Sequence, residues 1–392
     1  MSICPVCGNN DERFFSKKGG KIYCRKCISF NGRQANKIPI NSNIKLKLDY
    51  PLSDKQENIS NLVMQNFILK KDVLINAVTG AGKTELVYKA MEKALNEGKT
   101  VGFATPRKDV VIDLKPRISS AFPNASVISV YGNHSYKLEA DIIVLTTHQL
   151  FRYKNYFDLL IIDEIDAFPF ANNEMLHQFV EKSLTCTGVK VLLSATPSEK
   201  DICEIKNRGG TILELNKRYH GAFLPVPEFV YYGLSKYFTC LKVILKILNS
   251  NKPLFVFVPT INEGQKLYQL AKHFIKDISL VYSYEKDRDI TIEKFKKGQL
   301  KCLITTTILE RGVTVKDLQV IVIDADNMTF TPESLIQISG RVGRKFNART
   351  GKVIFLGKSY NENIKKSIKT IKDTNHRALL SGVCWKNISD FI

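Results

Sequence analysis

The chain has 392 residues, room for two or three domains at ~100–200 residues each. With 44% hydrophobic and 24% charged residues its composition is globular, which excludes a mostly disordered chain, a collagen-like repeat or a sustained coiled coil. A formal charge of +20, from 58 basic against 38 acidic residues, asks for an anionic partner, either nucleic acid or an acidic membrane surface.

The opening residues, MSICPVCGNN, lack the basic-then-apolar pattern of a signal peptide, and the closing SDFI is not a lipidation signal. No apolar run approaches the ~20 residues that cross a bilayer, so the expected compartment is the cytosol. Cys4-x2-Cys7 and Cys24-x2-Cys27 stand 16 residues apart. Each short pair can grip one side of a tetrahedron, and the loop between brings the pairs together, which predicts one structural Zn²⁺ held by four thiolates. Two disulfides are disfavoured in a reducing compartment. A domain of residues 1–35 could not bury enough core without such a staple. The remaining cysteines, Cys186, Cys203, Cys240, Cys302 and Cys384, are isolated and read as small buried apolar side chains.

Residues 36–50 read as a polar connector with a short alternating stretch. Ser53 and Gln56 then suit a helix start, with Ser53 as its N-cap, although a Gln amide can also pair with an adenine edge. A strand is predicted over 73–77 and a helix over 83–96, and between them lies Ala77-Val78-Thr79-Gly80-Ala81-Gly82-Lys83-Thr84. Strand, Gly-rich turn and helix together make a phosphate-binding loop. Gly80 and Gly82 allow backbone N–H groups of Thr79 to Thr84 to turn around phosphate oxygens, and the helix beginning at Lys83 would add its positive end. Lys83 would reach the outer phosphates of ATP and Thr84 would ligate Mg²⁺.

Further strands are predicted over 100–104, 126–131, 142–146, 159–163 and 190–194, most of them separated by helical segments. Such alternation predicts a parallel sheet with helices on both faces. The strand 159–163 is apolar and runs into Asp163-Glu164-Ile165-Asp166, placing acids at the sheet edge where a nucleotide binds. Asp163 would hold the Mg²⁺ and Glu164 would polarise the attacking water. A second alternating block follows, with strands over 252–258, 278–282, 301–305, 320–324 and 352–356 and helices over 262–275, 334–341 and 362–374. Gln337, Arg341 and Arg344 have spacings that would share one helical face. The last helix carries Ile364, Ile368 and Ile371 among lysines and reads first as a docked surface helix, with a partner or membrane as the alternative.

In this order the motifs resemble those of superfamily 2 helicases and translocases, which implies an α/β fold of two RecA-like parallel-sheet motor domains, here preceded by the four-cysteine zinc module. The implied organisation is a module over 1–35, a connector over 36–50 and motor domains over 51–220 and 221–392. The resemblance makes Thr105, Pro106, Arg107, Thr146 and Thr147 contacts to the nucleic-acid backbone, with Thr306 and Arg311 of the TTTILERGV stretch adding to them. Asp166, Ser194 and Thr196 would couple the ATP site to the strand. Gln337 would serve the nucleotide, and Arg341 and Arg344 would act as arginine fingers.

The tetracysteine module, the DEIDAFPF continuation and the ILERGVT form narrow the resemblance to the late-competence DNA-uptake ATPases of the ComFA family. That implies an ATPase stimulated by single-stranded DNA, peripheral at the cytoplasmic face of the membrane. Its implied partners are the competence protein ComFC and the membrane DNA-uptake channel, with an oligomer possible. A replication-restart helicase resembling PriA would carry its cysteines inside the helicase core, where residues 221–392 have no cluster. RNA-directed helicases fit less well, because Pro39 stands where their upstream aromatic would be. A non-hydrolysing scaffold would predict a broken motif, whereas Lys83, Glu164, Arg341 and Arg344 are all in place. The charge divides in the same sense. Residues 1–50 carry 10 basic and 3 acidic groups (+7), 51–220 carry 21 and 20 (+1), and 221–392 carry 27 and 15 (+12). The excess on the module and the second motor fits a phosphate backbone gripped at two places.

Overall fold

The computed structural model describes residues 3–41, 43–233, 235–282, 287–306, 315–345 and 347–380. It divides into one unit of residues 1–77 with 82–215, and a second of residues 216–392 to which 78–81 are also assigned.

The first unit begins with the cysteine module. Strands β1 (Phe15–Lys18) and β2 (Lys21–Cys24) form an antiparallel hairpin with Lys18 opposite Lys21. The intervening Gly19 and Gly20 have φ of 57° and 78°, as a two-residue hairpin turn requires at both positions. The motor portion opens with α1 (Asp54–Ile68), whose start is fixed by a capping box between Ser53 and Gln56. Its sheet consists of β3 (Val73–Ala77), β4 (Val101–Thr105), β5 (Val127–Val130), β6 (Ile142–Thr146), β7 (Phe157–Asp163), β8 (Leu184–Ser194) and β9 (Thr211–Leu215). The order is β5-β6-β4-β7-β8-β3-β9, with every pairing parallel. The helices are α2 (Tyr88–Asn96), α3 (Lys108–Ala121), α4 (Glu174–Ser183) and α5 (Glu199–Asn207). The edge strand β9 is outside the expected set, because TILEL carries too weak an alternation to stand out.

The helix expected from Lys83 begins later. Residues Glu85–Val87 form a 3₁₀ turn, in which Val87 N–H reaches Thr84 O at 3.5 Å, and the α-helix starts at Tyr88. The bonding is i→i+3, so the positive end that faces the loop is a tighter and shorter helix than expected.

The connector contains no strand among its described residues, yet it is fastened to the motor. Ile44 exchanges hydrogen bonds with the Asn96 side chain at 2.9 Å in each direction, and Leu46 N–H donates to Glu92 at 2.7 Å. The module is fastened as well. Phe30 stacks on His148 at 6.1 Å and meets Phe179 edge-on at 5.2 Å. Lys182 donates to Pro5 O at 2.6 Å, and Arg33 pairs with Glu139. The four cysteines therefore belong to the same apolar cluster as Tyr153, Phe157 and Phe179.

The second unit has its own parallel sheet of β10 (Glu228–Tyr231), β11 (Leu254–Phe257), β12 (Ile278–Val281), β13 (Cys302–Thr305), β14 (Gln319–Ile323) and β15 (Val353–Gly357). The order is β10-β15-β14-β11-β13-β12. Alternate residues feed opposite cores. Phe255, Phe257, Val320, Val322 and Phe355 face one cluster, and Leu254, Val256, Ile321, Ile323 and Leu356 face the other. Helices α6 (Lys236–Leu248) and α7 (Ile261–Ala271) cover the second face. The first face is covered by α8 (Arg288–Lys296), α9 (Pro332–Ser339) and α10 (Glu362–Leu380).

Ile364, Ile368 and Ile371 are buried, so the last helix docks on its own motor sheet. Asn375 secures it by exchanging hydrogen bonds with Leu224. Cys240 and Cys302 are buried as expected. Cys186 and Cys203 are exposed, against expectation, and Cys384 lies outside the described residues.

Candidate functional site

Parallel strands deliver their C-terminal ends to one edge of a sheet, and in the first unit the polar residues gather there. β3 ends at Ala77 and opens into the Gly-rich loop. Gly80 and Gly82 have φ of +80° and +76°, conformations that a side chain resists. At Gly82 space also demands glycine, since a Cβ would lie 2.7 Å from Gln56 Nε2. Lys83 Nζ donates to Ala77 O at 3.0 Å, folding the ammonium back over the loop, and the Thr79 and Thr84 side chains are buried. Ala81 N–H closes on Val78 O at 3.1 Å.

Gln56 sits against this loop, but its amide is partly committed. Its Oε1 accepts from Ser53 N–H and Oγ–H at 3.0 Å each as the second half of the capping box. The acceptor half of the amide is therefore occupied, and the two-sided pairing that a free amide offers an adenine edge is not available.

β7 ends at Asp163, which is almost fully buried. Burial is the main cause that pushes its carboxyl up to about 6, opposed by the charge of Lys83 and aided by that of Glu164. Its Oδ1 accepts from Glu164 N–H at 2.8 Å. Glu164 has φ of 57°, a strained backbone for a non-glycine residue. Two residues on, Asp166 accepts from Ser194 Oγ at 2.8 Å and from Thr196 Oγ1 at 2.9 Å. Ser194 ends β8 and Thr196 follows it, so a carboxylate just past β7 is tied to the end of the neighbouring strand. Asp166, Ser194 and Thr196, grouped by sequence, do meet in space.

The strand-end residues expected to touch nucleic acid are mostly interior. Thr105, Pro106, Thr146 and Thr147 are buried because they complete buried strands. Arg107, the N-cap of α3, is half-buried, and Lys108 after it is exposed. Thr306 follows β13 in the second unit and is half-buried, while Arg311 lies outside the described residues.

The arginines depart most from expectation. α9 stops at Ser339 with Gly340 as its C-cap, so Gln337 is on the helix but Arg341 and Arg344 are in the turn that follows. The three cannot share a helical face. The reason is local: Gly340 ends the helix, and Gly343, with φ of 71°, reverses the chain. Gln337 and Arg341 are both buried, and Arg344 Nε donates to Gly340 O at 2.9 Å.

A segment that the motifs do not mark holds this turn. Arg218, itself buried, donates from Nη1 to Val342 O (2.7 Å) and Gly343 O (2.9 Å) and from Nη2 to Gly340 O (3.2 Å). Tyr219 Oη donates to Arg344 O at 3.1 Å, and His220 Nε2 lies 2.8 Å from Gly343 O. Burial, reinforced by the charge of Arg344, pushes the Arg218 guanidinium down to about 9. Three successive side chains thus read the carbonyls of one turn. The only signal in the sequence is the run Lys217-Arg218-Tyr219-His220, indistinguishable there from a solvated linker.

The four cysteine sulfurs lie within 4.8 Å of one another, with Cys4 Sγ 3.6 Å from Cys27 Sγ and Cys7 Sγ 3.8 Å from Cys24 Sγ. A disulfide needs about 2.05 Å. Four ligands at about 2.3 Å from a tetrahedral Zn²⁺ stand about 3.8 Å apart, so the cage is compatible with zinc.

Residues 49–199 match the family described as type III restriction enzyme, res subunit, and residues 236–346 match the helicase conserved C-terminal domain. The competence protein ComFA of Bacillus subtilis is 36% identical over 407 residues, covering 96% of this chain and 86% of that protein. ComFA of Streptococcus pneumoniae is 35% identical, covering 96% and 91%. Among solved structures, S. cerevisiae Dbp5 bound to RNA and ADP BeF3 superposes with a TM-score of 0.62 at 17% identity, over 82% of this chain and 91% of that one. That likeness shows the fold: two RecA-like domains.

Proposed function

The chain belongs to the ComFA family of competence proteins and is a helicase-like ATPase of DNA uptake, and on that premise we propose that it is a translocase driven along single-stranded DNA by ATP hydrolysis. ATP with Mg²⁺ supplies the phosphoryl group and neutralises its charge. The chain's own residues divide the remaining work. Lys83 and the backbone N–H groups of residues 79–84 bind the phosphates, with Gln56 and Gln337 beside the nucleotide. Thr84 and Asp163 hold the metal, and the ionised form of Asp163 is the one required. Glu164 orients the attacking water and takes its proton, and Arg341 and Arg344 bring guanidinium charge to the transition state. Arg107, Thr306 and Arg311, with the backbone at Thr105, Pro106, Thr146 and Thr147, serve the strand. One structural Zn²⁺ on Cys4, Cys7, Cys24 and Cys27 holds the module.

A single observation carries the translocase reading beyond a simple ATPase. Asp166 is gripped by two hydroxyls from the neighbouring strand end, so a change at the acids is passed on mechanically. ComFC, the uptake channel and a peripheral position at the inner membrane face are the setting this reading names, and they rest on the family. Among the described residues no helix is long and apolar enough to cross a membrane.

The test compares ATP turnover alone and with saturating single-stranded DNA, duplex DNA and RNA. Single-stranded DNA is expected to give the largest rise. The paired change Ser194→Ala with Thr196→Ala is expected to keep basal turnover and lose most of that rise. Turnover unmoved by single-stranded DNA in the unaltered protein would overturn the reading.

A further inference from the structure

Beside the strand-end motifs lies a group of rings that neither the ATP site nor the apolar core uses. β5 ends at Val130, and Tyr131, Gly132, Asn133 and His134 turn the chain there. The turn is closed by two backbone hydrogen bonds, His134 N–H to Tyr131 O at 2.7 Å and Tyr131 N–H to His134 O at 3.2 Å. It would hold with small side chains, yet it carries aromatic ones. Tyr131 and His134 are stacked, with centroids 4.9 Å apart and planes 18° from parallel. Tyr136 meets His134 edge-on at 4.9 Å and is 76% exposed. Lys108 lies 5.3 Å over the Tyr131 ring.

Lys108, Tyr131, Gly132, Asn133 and His134 line one open groove on the first unit, next to Arg107 at the start of α3. The groove therefore joins a cation, a helix N-terminus and the stacked Tyr131–His134 pair, with the exposed Tyr136 edge-on against His134. A strand gripped through its phosphates alone would need the cation and not the rings. An exposed Tyr beside a stacked pair presents a π-face on which an unpaired base can stack, and base-on-ring stacking tolerates any sequence.

We propose that Tyr131, His134 and Tyr136 form a stacking platform for one or two unpaired bases of single-stranded DNA, with Lys108 taking an adjacent phosphate. This rests on the single-stranded DNA reading above and adds to it: the strand is held by base faces as well as by its backbone. A platform of this kind would reject a duplex, whose bases are already stacked on one another.

The test uses the full-length protein with two fluorescent 20-mers of equal charge, oligo-dT and an abasic backbone. The unaltered protein is expected to bind oligo-dT roughly tenfold more tightly, the scale of one or two stacked bases. The double variant His134→Ala, Tyr136→Ala is expected to bind both at the level the abasic strand shows with the unaltered protein, with DNA-free ATP turnover unchanged. Should the double variant not fold, Tyr136→Ala alone, at its exposed position, is expected to lose a few-fold of the preference. Equal binding of the two strands by the unaltered protein would overturn the platform and leave the single-stranded DNA reading standing. Binding of neither strand would remove that reading and the platform with it. A base preference that survives in the double variant, or in Tyr136→Ala if only that folds, would also overturn the platform.

Discussion

The sheet of the first unit ends in acids, and the second unit keeps its motif arginines in a turn. Residues 51–215 are nearly neutral, with 19 basic and 20 acidic groups (−1), whereas 216–392 carry 29 and 15 (+14). Both units are parallel sheets with helices packed against them, so the fold is not what separates them. The difference lies in how each holds its reactive side chains. In the first unit the carboxylates are extensions of buried strands, and Asp163 is positioned by the strand that ends with it. In the second unit Arg341 and Arg344 stand past the end of α9, where no regular element fixes them. Their turn is fixed instead from outside, by Arg218, Tyr219 and His220. A group on a strand end needs little support. A group on a turn needs carbonyls held by donors, and a guanidinium is suited to hold several at once.

The sharpest break of this comparison comes from the groups that would touch ATP. Lys83→Ala is expected to lower hydrolysis by on the order of 10³ or more, and Arg341→Ala by about 10³, as losses of phosphate and transition-state charge do. Both should leave the far-ultraviolet circular dichroism and the metal content unchanged. Residual turnover above about 5% in Lys83→Ala, a loss far smaller than removal of phosphate-binding charge gives, would remove that residue from the site.

The next effect tests the support directly. Arg218→Ala removes a donor from each of three carbonyls, and kcat should fall about tenfold while KM for ATP stays within about twofold. Arg218→Lys should recover little, because an ammonium cannot span the carbonyls that a planar fork reaches. A rise in KM with kcat intact would mean that Arg218 serves nucleotide binding instead.

The smallest expected effect on turnover is in the module. Cys24→Ser should abolish stoichiometric zinc by metal analysis and lower the melting temperature, with DNA-free hydrolysis changed less than about threefold, since the module packs on α4, His148 and Glu139. One zinc per chain retained in Cys24→Ser would take Cys24 out of the ligand set.

The central strands were legible because each is a short apolar run between turn residues, and β3 and β6 coincide with their predicted bounds. The edge strands β9 and β10 were not, although the other edges, β5 and β12, were: Thr211 and Glu214 interrupt TILEL, and EFVY opens on a charge with only two apolar residues before its Tyr. The Asp166–Ser194–Thr196 cluster was legible only through the resemblance, as its members are 28 and 30 residues apart.

What the sequence determined by itself is local chemistry: glycines where the loop needs positive φ, acids at the end of an apolar strand, and two cysteine pairs spaced for one tetrahedral ion. Each is set by a few adjacent residues, so each can be read there. The tertiary structure decided where those pieces are held. It committed Gln56 to Ser53, ended α9 before the arginines, docked Phe30 of the module on Phe179, and set Arg218 on a turn more than a hundred residues away. Those contacts join side chains to backbone carbonyls and to distant rings. Their partners carry no mark in local periodicity, because any residue offers a carbonyl and only the fold selects which one is near.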